Sequence, residues 1–205
     1  MKLLSIQVGT AREVPKGSTT VLTGIRKLPV ASVLIRELGL EGDTIANTKG
    51  HGGLDQAVYV YSQEDYDWWE SHLGQQLSPG KFGENLVFDT FGEDVMVGDR
   101  FSFGAVVIEA TAPRIPCWAL ANEMEKGDMV REFRASGRPG FYSRVIQEGR
   151  TAAGDSIVRT GGGFDVSINE LFGMRYRTEI TAEEVERVLG SPLAQRMREY
   201  YEGRI

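Results

Sequence analysis

Up to about Gly163, apolar and polar positions alternate in short runs, each ended by glycine or another turn former, as in a protein built mainly of short strands. Leu3 to Val8 predicts a first strand. Thr19 to Lys27 and Val30 to Leu38 predict two more, or one strand and a short helix. Gly39 to Gln56 is polar and glycine-rich and predicts a loop, whereas Ala57-Val58-Tyr59-Val60-Tyr61 is strongly β-prone. Ser62 then caps a helix, with Asp65 three residues on. Tyr66, Trp69 and Leu73 fall on one face of it before the stop at Gly74. Glu84 to Phe88 predicts a strand, and Arg100 to Phe103 with Val106 to Thr111 predicts a hairpin across Gly104. Asn122 to Arg134 is rich in helix formers. Tyr142 to Gln147 and Ser156 to Arg159 predict the last strands.

Beyond Gly163 the pattern becomes helical. Ser167 with Glu170, and Thr181 with Glu184, have capping-box spacing, and Ser191-Pro192 has the form of a cap followed by proline in the first turn. Val185, Val188 and Leu189 make one apolar stripe, and Leu193, Met197 and Tyr200 make another. The expected organisation is a β-rich body over residues 1–163 and a small helical unit over residues 164–205.

Composition narrows the function classes. The chain has 205 residues, 41% hydrophobic and 25% charged, enough for a sizeable core without disulfides, and its one cysteine cannot form an internal one. Together with the early interruption of the apolar start by Gln7 and Gly9, this predicts a cytoplasmic protein. No apolar run approaches the length of a membrane helix. A formal net charge of -6 argues against a general nucleic-acid surface.

Candidate chemistry centres on Cys117, in Ala112-Pro113-Arg114-Ile115-Pro116-Cys117-Trp118, where the chain leaves a predicted strand. Two prolines restrict the backbone, and Arg114 supplies a cation that favours thiolate, the form needed in a nucleophile, a persulfide carrier or a soft-metal ligand. The residues alone leave open an inert cysteine acting as a small hydrophobe. His51, in Lys49-Gly50-His51-Gly52-Gly53, is either a proton shuttle in a loop that presents amides to a ligand or a surface histidine in a polar loop. In Phe82-Gly83-Glu84-Asn85-Leu86, the residue types by themselves favour a turn entering a strand. Gly161-Gly162-Gly163 reads better as a link than as a phosphate nest. With two histidines and one cysteine, no paired zinc spacing exists. Walker, Rossmann and Gly-x-Ser-x-Gly patterns are absent from the sequence.

Five segments in order resemble the MOSC family, the domain named for the molybdenum-cofactor sulfurase C-terminus. They are Gly39-Leu40-Glu41-Gly42-Asp43, Lys49 to Val58, Phe82 to Leu86, Val97-Gly98-Asp99-Arg100-Phe101, and Pro113 to Cys117. The helical C-terminus is similar to the three-helix appendage of a stand-alone bacterial branch, which has no fused desulfurase. The resemblance implies a mainly β fold, a closed or nearly closed β-barrel with a few helices and a small C-terminal helical unit. It also implies a cleft where the histidine, asparagine and cysteine motifs converge. It implies the molybdenum cofactor (molybdopterin), with Cys117 as metal ligand and Cys117, His51 and Asn85 as the catalytic set. Arg114, Lys49, Gly52, Gly53 and Glu84 would then contact the cofactor. The activity implied is reduction of N-hydroxylated compounds, with an electron-transfer partner. Alternatives are a persulfide sulfur carrier served by a separate pyridoxal-phosphate cysteine desulfurase, and a cofactor-binding module without turnover.

Overall fold

The strand that organises the molecule is the Val58–Ser62 run. Its five residues are all buried, because both faces of the sheet are covered there. Val58 and Val60 enter one apolar cluster and Tyr59 and Tyr61 enter another, as the two-residue period of a strand requires. The computed structural model describes residues 1–46 and 50–204. In chain order the strands of the first part are β1 (Leu3–Gly9), β2 (Arg12–Lys16), β3 (Thr19–Thr23), β4 (Lys27–Val30), β5 (Ser32–Arg36), β6 (Gly39–Leu40) and β7 (Val58–Ser62). Helix α1 (Gln63–Leu73) is followed by β8 (Leu86–Phe88), β9 (Arg100–Phe103) and β10 (Val106–Pro113). Then come α2 (Trp118–Glu123), α3 (Met129–Ser136), β11 (Phe141–Gln147), β12 (Gly149–Ala152) and β13 (Val158–Thr160). Helices α4 (Ile168–Met174), α5 (Ala182–Leu189) and α6 (Gln195–Glu202) complete the chain.

The main sheet has eight strands in the order β13-β9-β10-β11-β7-β8-β1-β4. All neighbours are antiparallel except β7 and β8, whose parallel pairing is made possible by the α1 crossover. Smaller sheets are β12-β5-β6 and the hairpin β2-β3. Against the expectation of a mainly β fold with a closed or nearly closed barrel, no closed barrel is found among the described residues: the main sheet is open, with β13 and β4 at its edges, and the fold is mixed α/β. The outer side of β1 is divided, which explains the gap. Ile6 to Gly9 pair with β4. Leu3 instead donates its N–H to the Asp155 carbonyl at 2.9 Å, and Lys2 forms one isolated bridge with Ser156. The sheet therefore curls back on itself without a continuous ladder.

Local differences have similar causes. The helix formers of Asn122 to Arg134 are divided between α2 and α3, because Glu125 adopts φ 53° and Gly127 follows. Helix α6 begins after Ala194 rather than at Ser191-Pro192, and the strand β2 was not foreseen. The expected caps at Ser62, Ser167 and Thr181 are present, with the full capping box at Thr181.

Two apolar clusters hold the molecule. The larger joins the inner face of the sheet (Leu3, Ile6, Phe88, Phe101, Ile108, Phe141) to Leu171, Met174, Val185, Val188, Met197 and Tyr201 of the C-terminal helices. The second is aromatic and lies under α1, α2 and α3, with Tyr59, Tyr61, Tyr66, Trp69, Phe82 and Phe133 at its centre. The strand face that carries Tyr59 is thus backed by a rigid layer, and the pocket described next opens beside it.

Candidate functional site

A pocket of about 780 Å³, counting its open mouth, lies between the β2-β3 hairpin, residues 43–46 and 51–52, β7, the Phe82-Gly83 turn and the start of α2. Cys117, His51, Gly52, Asn85 and Arg114, expected from the sequence to act together, all line it. Gly53 is exposed and outside the lining. Lys49 lies outside the described residues.

Strand β10 delivers the cysteine. Its end at Pro113 is fixed by pairing with Phe141, and the Pro113-Arg114-Ile115-Pro116 turn then swings Cys117 to the N-cap of α2. The thiol is partly exposed. Burial pushes its pKa up, but the hydrogen bond with His51, the charge of Arg114 and the Ala119 N–H outweigh burial and bring it down to about 7. Arg114 is almost fully buried, sits 5.5 Å from the Tyr59 ring and 5.1 Å from the Phe133 ring, and bonds the Tyr142 hydroxyl. Its Nη1 is buried with no hydrogen-bond partner among the described residues. A buried cation with a donor to spare, on the wall of a pocket, is suited to an anionic ligand.

Asn85 is a structural joint as well as a lining residue. Its Oδ1 accepts from the Tyr59 N–H at 3.2 Å, and its Nδ2 donates to Asp43 Oδ2 at 2.9 Å. Asp43 also accepts from the Gly9 N–H at 2.6 Å and from the Lys27 ammonium. Burial pushes the Lys27 pKa down against the opposing pull of Asp43. The Lys27–Asp43 pair lines the pocket and was missed by the sequence reading, since nothing in the sequence marks one lysine as buried. Asp43 stood in a recognised segment without an assigned part. Tyr59, Tyr142 and Trp118 complete the missed wall.

Glu84 is placed differently from its neighbour. It is fully buried behind the wall and does not line the pocket. Its Oε1 accepts from the Tyr66 hydroxyl at 2.6 Å and from the Gly80 N–H, which fixes the turn before β8. Burial pushes its pKa up against those bonds.

The pocket suits the molybdenum cofactor in two respects. Cys117 offers a sulfur near its thiolate form, and Arg114 offers an unpaired donor for a phosphate. Gly52 has φ 67°, which favours glycine, and a Cβ there would come 2.6 Å from Ile45 Cδ1. Among the described residues no three His, Cys, Asp or Glu side chains converge as a metal-binding cluster, so Cys117 would be a lone protein ligand. Among the described residues no helix is long and apolar enough to cross a membrane.

The chain is similar to known proteins in sequence and in fold. The chain is 34% identical over 190 residues to the uncharacterized protein YflK of Bacillus subtilis (strain 168), covering 91% of this chain and 86% of that one. The crystal structure of YiiM from Geobacillus stearothermophilus superposes with a TM-score of 0.81 at 28% identity, covering 99% of this chain and 98% of that chain. A protein named "Reductase" from Gibberella moniliformis (strain M3125 / FGSC 7600) is 28% identical over 160 residues, which is 76% of this chain but 28% of that much longer protein. A family model described as "MOSC domain" matches residues 47–158, the span that carries His51, Asn85, Arg114 and Cys117. The chain belongs to the MOSC domain family, in the branch that includes YiiM and YflK.

Proposed function

We propose that this protein binds the molybdenum cofactor, with Cys117 as the protein ligand to molybdenum, and takes part in reducing N-hydroxylated compounds. The observation that carries the reading is the meeting, in one pocket, of a cysteine held near its thiolate form and a buried arginine with an unpaired donor. MOSC domains are linked to this cofactor, and the fungal relative bears the name reductase.

When bound, the cofactor supplies two-electron redox chemistry. The chain's own residues bind, orient and protonate. Arg114 would hold the pterin phosphate, aided by the Gly52 amide at the pocket wall. His51 keeps Cys117 ionised and passes protons between the pocket and solvent. Asn85 fixes Asp43 and, through it, the Lys27 ammonium at the pocket wall. In the net reaction the N–O bond breaks, two electrons and two protons are taken up, and an amine and water leave. The electrons come from a separate electron-transfer partner.

One observation favours a second reading. Cys117 is partly exposed rather than sealed, so a desulfurase could reach it. In that case the thiolate accepts sulfane sulfur from a pyridoxal-phosphate cysteine desulfurase and hands it on as a persulfide. The test is turnover of an N-hydroxylated base analogue by protein from cofactor-producing cells, supplied with a chemical reductant. Amine formation by the wild type and its loss in a folded Cys117→Ala variant is the expected result. Full activity in that variant contradicts the reading. Cyanide-labile sulfur on Cys117 after incubation with a desulfurase, without turnover, assigns the carrier role instead.

A further inference from the structure

The turn that carries His51 is fastened to the C-terminal helices. Arg196, in the first turn of α6, donates from Nη1 to the Gly52 carbonyl at 2.8 Å and to Gln56 Oε1 at 2.5 Å. The Gln195 N–H donates to Asp55 Oδ2 at 2.9 Å. The N-cap residue of α6 is Ala194, whose side chain cannot cap, so Asp55 supplies the missing acceptor from across the fold. Asp55 Oδ1 pairs with Arg144 Nη2 at 2.9 Å. The same Arg144 nitrogen donates to the Pro192 and Leu193 carbonyls, which lead into α6, at 3.1 and 3.2 Å.

We propose that Arg196 is a positioning residue for the Cys117–His51 pair, which makes the C-terminal helical unit part of the site. His51 is joined directly to Gly52, whose carbonyl Arg196 holds and beside which the Ile45 side chain leaves no room for a Cβ. With its carbonyl held, the turn has little slack, and the approach of His51 to the sulfur across the shared pocket depends on that. A displacement of about 1 Å takes a hydrogen bond outside its working range. At the far end of the turn Thr111 Oγ1 donates to the Asp55 carbonyl at 2.5 Å, so the sheet holds Asp55 but leaves Gly52 to Arg196.

The inference rests on Cys117 and His51 being the working pair of the proposed function, yet its test needs no cofactor, so the two can fail separately. The chain has only two histidines, His51 and His72, and each gives one imidazole Cε1–H resonance. Cys117→Ala defines where the His51 signal moves when the sulfur is lost. Arg196→Gln should move the His51 signal most of the way to that position while His72, on α1, stays in place. Arg196→Lys, which keeps the charge but reaches fewer acceptors, should give a smaller shift in the same direction. If Arg196→Gln does not fold, Arg196→Lys carries the test alone. An unmoved His51 signal in a folded variant overturns the proposal, and so does an equal movement of His72, which would mark a general loosening.

Discussion

Burial by itself would leave Cys117 a neutral thiol at physiological pH. His51, Arg114 and the Ala119 N–H reverse that and place its pKa at about 7. Alkylation of this sole cysteine by iodoacetamide should therefore rise with pH to a midpoint near 7, well below the roughly 8.5 of a free thiol. Arg114→Met, which keeps the bulk and removes the charge, should push the midpoint up, and an unchanged profile would remove Arg114 from the account. The sign of the linked stability follows. The folded pKa is depressed, so the thiolate contributes stability above the unfolded value, and that contribution is lost as pH falls through about 7. At this scale the sequence was informative where chemistry is local. Arg114 stands three residues from Cys117, and two prolines make the turn rigid. The Lys27–Asp43 pair escaped because its partners are 16 residues apart and its burial depends on strands that pack later.

Elements are held by charges as well as by apolar faces. Asp99, almost fully buried, accepts from Arg159 Nε at 3.0 Å and Nη2 at 2.6 Å, and from the Met96 and Gly162 N–H groups. Arg159 also donates to the Phe91 and Glu93 carbonyls, so one side chain ties β13 to the β9 turn and to the 91–94 loop. Removing it strands a buried carboxylate. Arg159→Met should cost roughly 3–5 kcal/mol, read as a lower urea midpoint with an unchanged slope. A loss below 1 kcal/mol would mean that Asp99 finds other partners. Helix starts were legible at Ser62, Ser167 and Thr181, since each cap sits within three residues of the amide it serves. The start of α6 was not, because its acceptor, Asp55, is 140 residues away.

At the scale of the whole molecule, the division of the sequence into a β-rich body and a helical end describes composition better than it describes packing. Val166, Ile168, Leu171, Val185 and Tyr201 share one core with Phe101, Ile108 and Phe141. A fragment of residues 1–163 would expose that surface, and it is expected to aggregate or to lack a cooperative thermal transition. A sharp transition in the soluble fragment would show that the β-rich body stands alone. Four of the five motif segments each place residues in the pocket lining, whereas Val97 to Phe101 does not reach it. Openness of the sheet could not be read in the same way. It depends on how the outer side of β1 is shared between β4 and residues 155–157, and side-chain pattern does not report that. The central claim is that this pocket holds a molybdenum cofactor through Cys117. The most direct measurement is the molar ratio of molybdenum to protein, for wild type and Cys117→Ala purified from cofactor-producing cells. Near-stoichiometric metal in the wild type and little in the variant is expected. No metal in either, or equal metal in both, would contradict the account.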